Sequence, residues 1–403
     1  MTFNEEQDPF EKKPVIKVFG VGGCGNKTIN RMISYDVKGV EYYAVNTDIQ
    51  DLRISNADCR IQIGGKLTGG KGAGTNPEVG YNAALESEDS LREQIEGADM
   101  VYVVAGMGGG TGTGAAPVVA RLAKELGILT IGVCTKPFDH EGSGSKKNAE
   151  QGLLEMRRYV DTLIVIPNQK LIEISDVNTS YLAAMREADD VLRQAVQGLA
   201  EVINLPQLQN IDLADVNTVM RDKGAALMGI GVAKGPNRAV EAARKAINSR
   251  LLEVTIEGAT DCIINIAGDE NVGMLEVEAV INEIRNCCDK DLKVIDGLTI
   301  SKDLGDELVV TIIATGYELK AKEKGIEDMV HNTIYSCNSN NERLVISPDN
   351  LKVEDILTNQ EEDDVEEDIV ESKKKSGIFG LFKGKDKSEE KTQKKHSLPE
   401  GFN

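Results

Sequence analysis

Twelve consecutive residues, Gly106-Met-Gly-Gly-Gly-Thr-Gly-Thr-Gly-Ala-Ala-Pro117, hold six glycines and two threonines. Their types and spacing suit the binding of an anion such as phosphate. Glycines at 106, 108, 109, 110, 112 and 114 remove Cβ atoms, so the backbone can approach a ligand closely. Successive N–H groups can then face one concavity, and Thr111 and Thr113 add hydroxyls. The run sits between a buried-strand pattern, Asp99 to Ala105, and a helical pattern from Val118 to Leu126. A strand, a glycine loop and a helix N-terminus in that order make an anion site with room for two or three phosphates. A flexible linker would not sit flush between a strand and a helix. The run also lacks the Lys of G-x-x-x-x-G-K-[ST], so it is not a Walker A loop.

A second glycine segment, Gly20-Val-Gly-Gly-Cys-Gly25, follows the strand pattern Val15–Val21, and Asp48 lies near the end of the next strand. Together they satisfy the dinucleotide fingerprint, which makes a nicotinamide-dependent enzyme the rival reading. Such an enzyme needs one glycine loop for its pyrophosphate, whereas this chain supplies two.

The elements that must position these loops alternate. Strand patterns recur at Val15–Val21, Val40–Val45, Arg60–Ile63, Met100–Ala105, Ile128–Cys134 and Thr162–Ile166. Helical patterns fall between them, running from the first glycine segment to about Ser34 and then over roughly 78–95, 115–126 and 147–159. Alternation of this kind predicts a doubly wound parallel α/β sheet. Ligands on such sheets bind at the carboxyl ends of the strands, in loops 22–27, 46–48, 64–76, 106–114 and 136–146. A long helical pattern, 179–203, follows, about 37 Å long at 1.5 Å per residue. Asn204-Leu-Pro206 stops it, and Asp212 and Asp215 lie in the loop beyond. A second, smaller α/β block comes next, with strands at 225–233, 260–267, 292–301 and 306–315 and helices from Pro236 to about Leu251 and over 275–288. A short helix near 326–336 is the last element expected. The predicted organisation is a disordered N-terminal tail (1–14), a nucleotide-binding domain (15–178), a central helix (179–203) and a second domain (204–317). A largely disordered acidic linker (318–375) and a basic tail (376–403) complete it.

Composition removes other classes. The 403 residues suffice for two domains and a tail. A formal charge of −20 argues against nucleic acid as a partner, because phosphate backbones demand a basic footprint. Seven cysteines without a C-x-x-C pair point to a reducing cytoplasm, and three widely spaced histidines disfavour zinc. Met1 to Lys13 is polar and acidic, unlike a secretory leader, and no apolar run approaches the ~20 residues that span a bilayer. A cytoplasmic protein is expected.

Several separate motifs resemble the tubulin/FtsZ family of GTPases over about residues 15–317. They are G-G-G-T-G-T-G at 108–114, Ala44-Val-Asn-Thr-Asp48, Leu67-Thr-Gly-Gly-Lys-Gly-Ala-Gly74 with Asn76-Pro-Glu-Val-Gly80, Arg186-Glu-Ala-Asp189, and Asn210-Ile-Asp-Leu-Ala-Asp-Val216. The resemblance implies a GTPase that polymerises head-to-tail into filaments and forms the division ring at the inner face of the cell membrane. Its cofactors would be GTP or GDP and Mg²⁺. It further implies a nucleotide site drawn from Gly22, Gly23, Cys24, Gly25, Asn26, Lys27, Asn46, Gly74, Gly106, Gly109, Gly110, Thr111, Gly112 and Thr113. Glu141 would reach the ribose, and Asp189 would accept from the guanine N1–H and N2–H₂. Asp212 and Asp215 would act on the γ-phosphate of the adjoining subunit. Three positions depart from the family pattern: Lys27 for Asn, Ser145 for an Arg near the phosphates, and Met185 for an aromatic against the base. They keep open a divergent nucleotide-binding scaffold with weak hydrolysis. Family members also carry an apolar-aromatic peptide near the C-terminus that docks on membrane-anchored division proteins. Ile378, Phe379, Leu381 and Phe382 are similar in character but lack the usual Pro. Their flanking lysines also suit direct contact with anionic lipid.

Overall fold

The computed structural model describes residues 14–37, 39–170, 191–198, 200, 203, 212–249, 256, 258–288, 292–301 and 304–316. Both tails, most of the 179–203 helix and the short helix expected near 326–336 lie outside the described residues.

Six strands carry the first half: β1 (Ile16–Val21), β2 (Val40–Asn46), β3 (Cys59–Gln62), β4 (Met100–Gly106), β5 (Leu129–Lys136) and β6 (Thr162–Pro167). They read as near-continuous apolar runs because both faces of a parallel sheet are covered. Every residue of β1 is buried. Its one charge, Lys17, sends Nζ to the carbonyls of Gln94 and Glu96, each at 2.8 Å, at the end of a helix where a cation is welcome. Phe19 is fully buried and stacks on Tyr43 with ring centroids 4.6 Å apart, a burial contributing about 2–3 kcal/mol.

Helices cover the sheet on both faces, as expected. On one face lie α1 (Gly22–Ser34), through Ile29 and Met32, and residues 191–198, through Val191, Leu192, Ala195 and Val196. The other face is covered by α4 (Pro77–Glu86), α5 (Glu88–Ile95), α6 (Thr111–Glu125) and α7 (Gly142–Tyr159). Two short helices, α2 (Ile49–Arg53) and α3 (Gly65–Thr68), sit in the loops after β2 and β3.

Five expectations need correction. Residues 22–27, expected as a loop, are the first turns of α1, and the helix expected from 147 starts at Gly142. The single helix expected over 78–95 is two, because Ser87 leaves helical geometry and its hydroxyl accepts from Gly64 N–H at 3.2 Å. The helix expected to start at 115 starts at Thr111, so Thr111 to Gly114 form its first turn and not a loop. Asp212 and Asp215 are likewise not in a loop. Asp212 is the N-cap of α8 (Leu213–Met220), its Oδ1 accepting from Ala214 N–H at 3.1 Å, and Asp215 lies in that helix's first turn.

The second half comprises β7 (Gly224–Lys234), α9 (Arg238–Ile247), β8 (Asp261–Gly268), α10 (Met274–Cys287), β9 (Lys293–Ile300) and β10 (Glu307–Thr315). Its strands continue the first sheet. The order is β3-β2-β1-β4-β5-β6-β7-β10-β8-β9, ten strands in all. Pairings from β3 to β7 are parallel, β10 runs antiparallel to β7 and β8, and β8–β9 is parallel. Alanine-rich α9 packs on a separate core with β8, β10 and α10.

Candidate functional site

The chain moves outward from β1 through β2 to β3, then returns to place β4 on the other side of β1. The carboxyl ends of β1 and β4 therefore flank the topological switch point, where open α/β sheets bind ligands. This order is shared with dinucleotide-binding folds, so topology alone does not choose between the two readings. α1 begins at Gly22, directly after β1, and four residues separate α6 from the end of β4. The two helix starts touch: a Cβ on Gly22 would stand 2.8 Å from Gly112 N and 3.4 Å from Thr111 Cβ. Gly22 also holds φ +76°, which side-chain-bearing residues resist.

These starts are bare. Neither α1 nor α6 has a side-chain N-cap or an acidic residue in its first turn. α7, which opens on the same edge, also lacks both, because Glu141 turns its Oε1 to Phe138 N–H at 2.8 Å. Two other starts are capped within the protein. Asp48 Oδ1 accepts from Gln50 N–H at 2.8 Å on α2, and Asn76 Oδ1 accepts from Glu78 N–H at 3.0 Å on α4. Among the described helices of eight residues or more, only α1, α6 and α7 lack both cap and first-turn acid. A helix start leaves four backbone donors without intrahelical partners and a partial positive charge, and here two converge on one crevice.

The predicted site residues separate into two groups. Many serve the fold. A Cβ would meet Cys24 Cβ at 2.6 Å from Gly106, Ala73 Cβ at 2.8 Å from Gly110, Gly106 O at 2.6 Å from Gly112 and Val104 O at 2.4 Å from Gly25. Asn26 and Asn46 are buried and bonded to each other at 2.9 Å, and Asn26 Nδ2 also donates to Gly20 O at 2.7 Å. They clamp the ends of β1 and β2. Thr113 Oγ1 accepts from Gly108 N–H at 2.9 Å, and the Thr111 hydroxyl meets that of Thr47 at 2.7 Å.

The second group faces outward. A Cβ on Gly109 would meet nothing within 4 Å, and its φ needs no glycine. Gly74 is equally open, with φ +58°. Gly23, Cys24 and Ser145 are half-buried, and Lys27 and Glu141 are exposed. Ser145 brings α7 to the loop, its carbonyl 3.0 Å from where a Cβ on Gly108 would stand. Asn148 Nδ2 ties the same edge together through Gly108 O and Thr75 O, both at 3.4 Å. Deeper in, burial pushes the Cys134 thiol well above its ordinary range, with Cys24 adding a smaller effect. Met185 and Asp189 lie outside the described residues.

Asn168 was not anticipated. It follows β6 on the carboxyl edge, is buried, and its Oδ1 has no hydrogen-bond partner among the described residues. Its signal in the sequence is the run Ile164-Val-Ile-Pro-Asn168, an amide directly after a buried strand. Among the described residues no hydrogen bond or ion pair joins Asp212 or Asp215 to the cradle. The end of α8 is fixed at the opposite, amino edge, where Gly224 N–H donates to Asp161 O at 2.9 Å and Arg221 to Gly127 O at 3.4 Å. Among the described residues no group of three or more His, Cys, Asp or Glu side chains could hold a metal ion.

Comparison with known proteins decides between the two readings. The model of the tubulin/FtsZ family GTPase domain matches residues 15–176, and that of the FtsZ family C-terminal domain matches residues 224–318. An empty FtsZ dimer from M. jannaschii is 44% identical with a TM-score of 0.73, over 76% of this chain and 89% of that one. The chain belongs to the tubulin/FtsZ family. Two Haloferax volcanii proteins share the fold at lower identity. GDP-bound CetZ1 is 23% identical with a TM-score of 0.68, over 79% of this chain and 99% of its own. CetZ2, a GTPγS-bound protofilament, is 21% identical with a TM-score of 0.66, over 79% and 98%. The family is one of GTPases, and no described helix is long and apolar enough to cross a membrane.

Proposed function

We propose that this chain binds GTP and GDP at the α1/α6 crevice, hydrolyses GTP, and polymerises head-to-tail into the filaments of a division ring. The carrying observation is the pair of uncapped helix starts meeting at Gly22 and Gly112, in a chain of this family. Phosphates would take donors from Gly22 to Lys27 and from Gly109 to Thr113. Glu141 would serve the ribose, and Met185 and Asp189 the base. A carboxylate suits the guanine edge, which presents two donors. Residues 15–178 form the nucleotide-binding domain and 204–317 the domain that activates hydrolysis.

Asp212 and Asp215 lie on an element fixed at the amino edge, which supports action on a neighbour and not on the same subunit's nucleotide. In a head-to-tail contact they would orient the attacking water at the γ-phosphate, which leaves as inorganic phosphate. Such a contact is heterologous and builds filaments when it does not close. Mg²⁺ would offset phosphate charge while keeping several of its own waters. The segment Ile378 to Phe382 would dock on membrane-anchored division proteins, with anionic lipid as the second reading.

Phosphate release measured against protein concentration tests the core of this reading. Turnover should be negligible when dilute and rise above a critical concentration. Turnover per subunit that is independent of concentration would remove shared catalysis. Tight GTP binding with no turnover at any concentration would favour the scaffold reading, which Lys27, Ser145 and Met185 motivate.

A further inference from the structure

We propose that Asp51 and Lys27 form an opposed pair of charges on the phosphate cradle, Lys27 drawing phosphate in and Asp51 holding it off. Together they set how strongly the site separates nucleotides by phosphate number. This deepens the nucleotide-binding reading above and rests on it.

Asp51 is a carboxylate at the rim of an anion site. Its Oδ2 lies 3.0 Å from where a Cβ on Gly23 would stand, and beyond Gly23's own chain neighbours and helix backbone nothing else comes within 4 Å of that point. It is held there: Asn46 Nδ2 donates to the same oxygen at 3.2 Å, and Asn46 is buried and bonded to Asn26. A carboxylate is stable beside a bare helix start for the reason that a phosphate is, so Asp51 supplies negative charge where a ligand would bring its own. Gly23 leaves the gap that lets the carboxylate approach α1.

Lys27 is four residues beyond Gly23, on the same exposed stripe of α1. Helical side chains lean toward the N-terminus, and four residues rise about 6 Å, a distance the four-carbon stem of Lys can return across. Its ammonium can therefore reach the level of Gly23 N–H, on the side of α1 where Asp51 also stands. Among the described residues Lys27 makes no ion pair. The charges act on a phosphate with opposite sign, and each added phosphate raises the stake. GTP should feel them most, GDP less, and guanosine not at all.

The test is calorimetric titration of the full chain, kept dilute and at low salt, with GTP, GDP and guanosine. Asp51→Asn, which keeps an acceptor for Asn46, should tighten GTP roughly three- to tenfold, GDP less, and leave guanosine unchanged. Lys27→Met should weaken GTP by a similar factor, the double variant should fall within about twofold of the parent, and added salt should shrink both single effects. Asp51→Glu keeps the charge and should resemble the parent. Unchanged GTP-to-guanosine ratios in both single variants would overturn the pair. So would Asp51→Asn weakening GTP and guanosine equally, the result of a purely structural role. A parent chain that binds no guanine nucleotide would remove the site itself, a failure visible before any variant is made.

Discussion

Helices that start near the carboxyl edge of this sheet do so in two ways. α2 and α4 close their first turns with Asp48 and Asn76, and α8, on another part of the chain, does the same with Asp212. α10 recruits Glu276, whose Oε2 accepts from Gly273 N–H at 2.9 Å. α1 and α6 leave theirs open, although an N-cap contributes about 1 kcal/mol and its side chain is easily supplied. A fold gains nothing from forgoing that stabilisation at two adjacent helix starts. A ligand that brings its own negative charge recovers it. The contrast separates residues that hold the scaffold from residues that await a partner, and substitution can test the separation.

The largest effects should come from two glycines that look equivalent in sequence. Gly114→Ala places a Cβ 2.0 Å from Pro77 O and 2.6 Å from Tyr81 N, between α6 and α4. It should cost about 3 kcal/mol of stability by overpacking, read as a lowered melting temperature. At Gly109 an added Cβ meets nothing within 4 Å beyond its chain neighbours, so Gly109→Glu should melt like the parent, yet lose GTP affinity by roughly a hundredfold by putting a carboxylate in the cradle. If Gly109→Glu unfolds the protein or Gly114→Ala does not, the division between scaffold and site glycines is wrong.

Asp212 should show two separable roles. Asp212→Asn keeps the cap, since Asn caps as well as Asp, while removing the carboxylate. It should bind GTP and melt normally but release phosphate poorly. Asp212→Ala should add about 1 kcal/mol of destabilisation. Normal turnover in Asp212→Asn would remove the carboxylate from catalysis. On the closed helices the effect is smaller: Asn76→Ala should cost about 1 kcal/mol in denaturant titration and leave nucleotide affinity within about twofold.

The smallest effect concerns α10. Glu276 is held below its ordinary range chiefly by hydrogen bonds from Arg238, at 2.7 and 3.0 Å. A depressed carboxyl contributes stability that is present above its unfolded pKa of about 4.3 and is lost as pH falls through the folded value. Glu276→Gln should therefore flatten the acid limb of the stability curve without altering GTP binding. An unchanged acid limb would show that the pair is merely superficial.

The sheet was legible because buried parallel strands read as apolar runs, and each expected strand is found within about two residues of its observed ends. Helix starts were less so. Gly-Thr-Gly-Thr-Gly at 110–114 reads as a loop by propensity, yet tertiary contact with α1 and α4 makes its last four residues the first turn of α6. Ser87 looked like the interior of one long helix because its bond to Gly64 spans 23 residues and leaves no local trace. At the site, the glycine motifs were visible but their division of labour was not. Nothing in the spacing says that Asn26 and Asn46 bond each other, or that Asp51 comes back to Gly23. Asn168 carried too little pattern to be chosen from sequence, since its interest lies in burial without a partner.

The central claim is that the open starts of α1 and α6 receive the nucleotide's phosphates. Backbone amide hydrogen exchange with saturating GDP, on dilute full-length chain, tests it most directly. Exchange should slow at residues 22–27 and 108–113, and should not change at the capped starts of α4 and α8. Saturated binding that leaves 22–27 and 108–113 unprotected, or protects all helix starts alike, would contradict it.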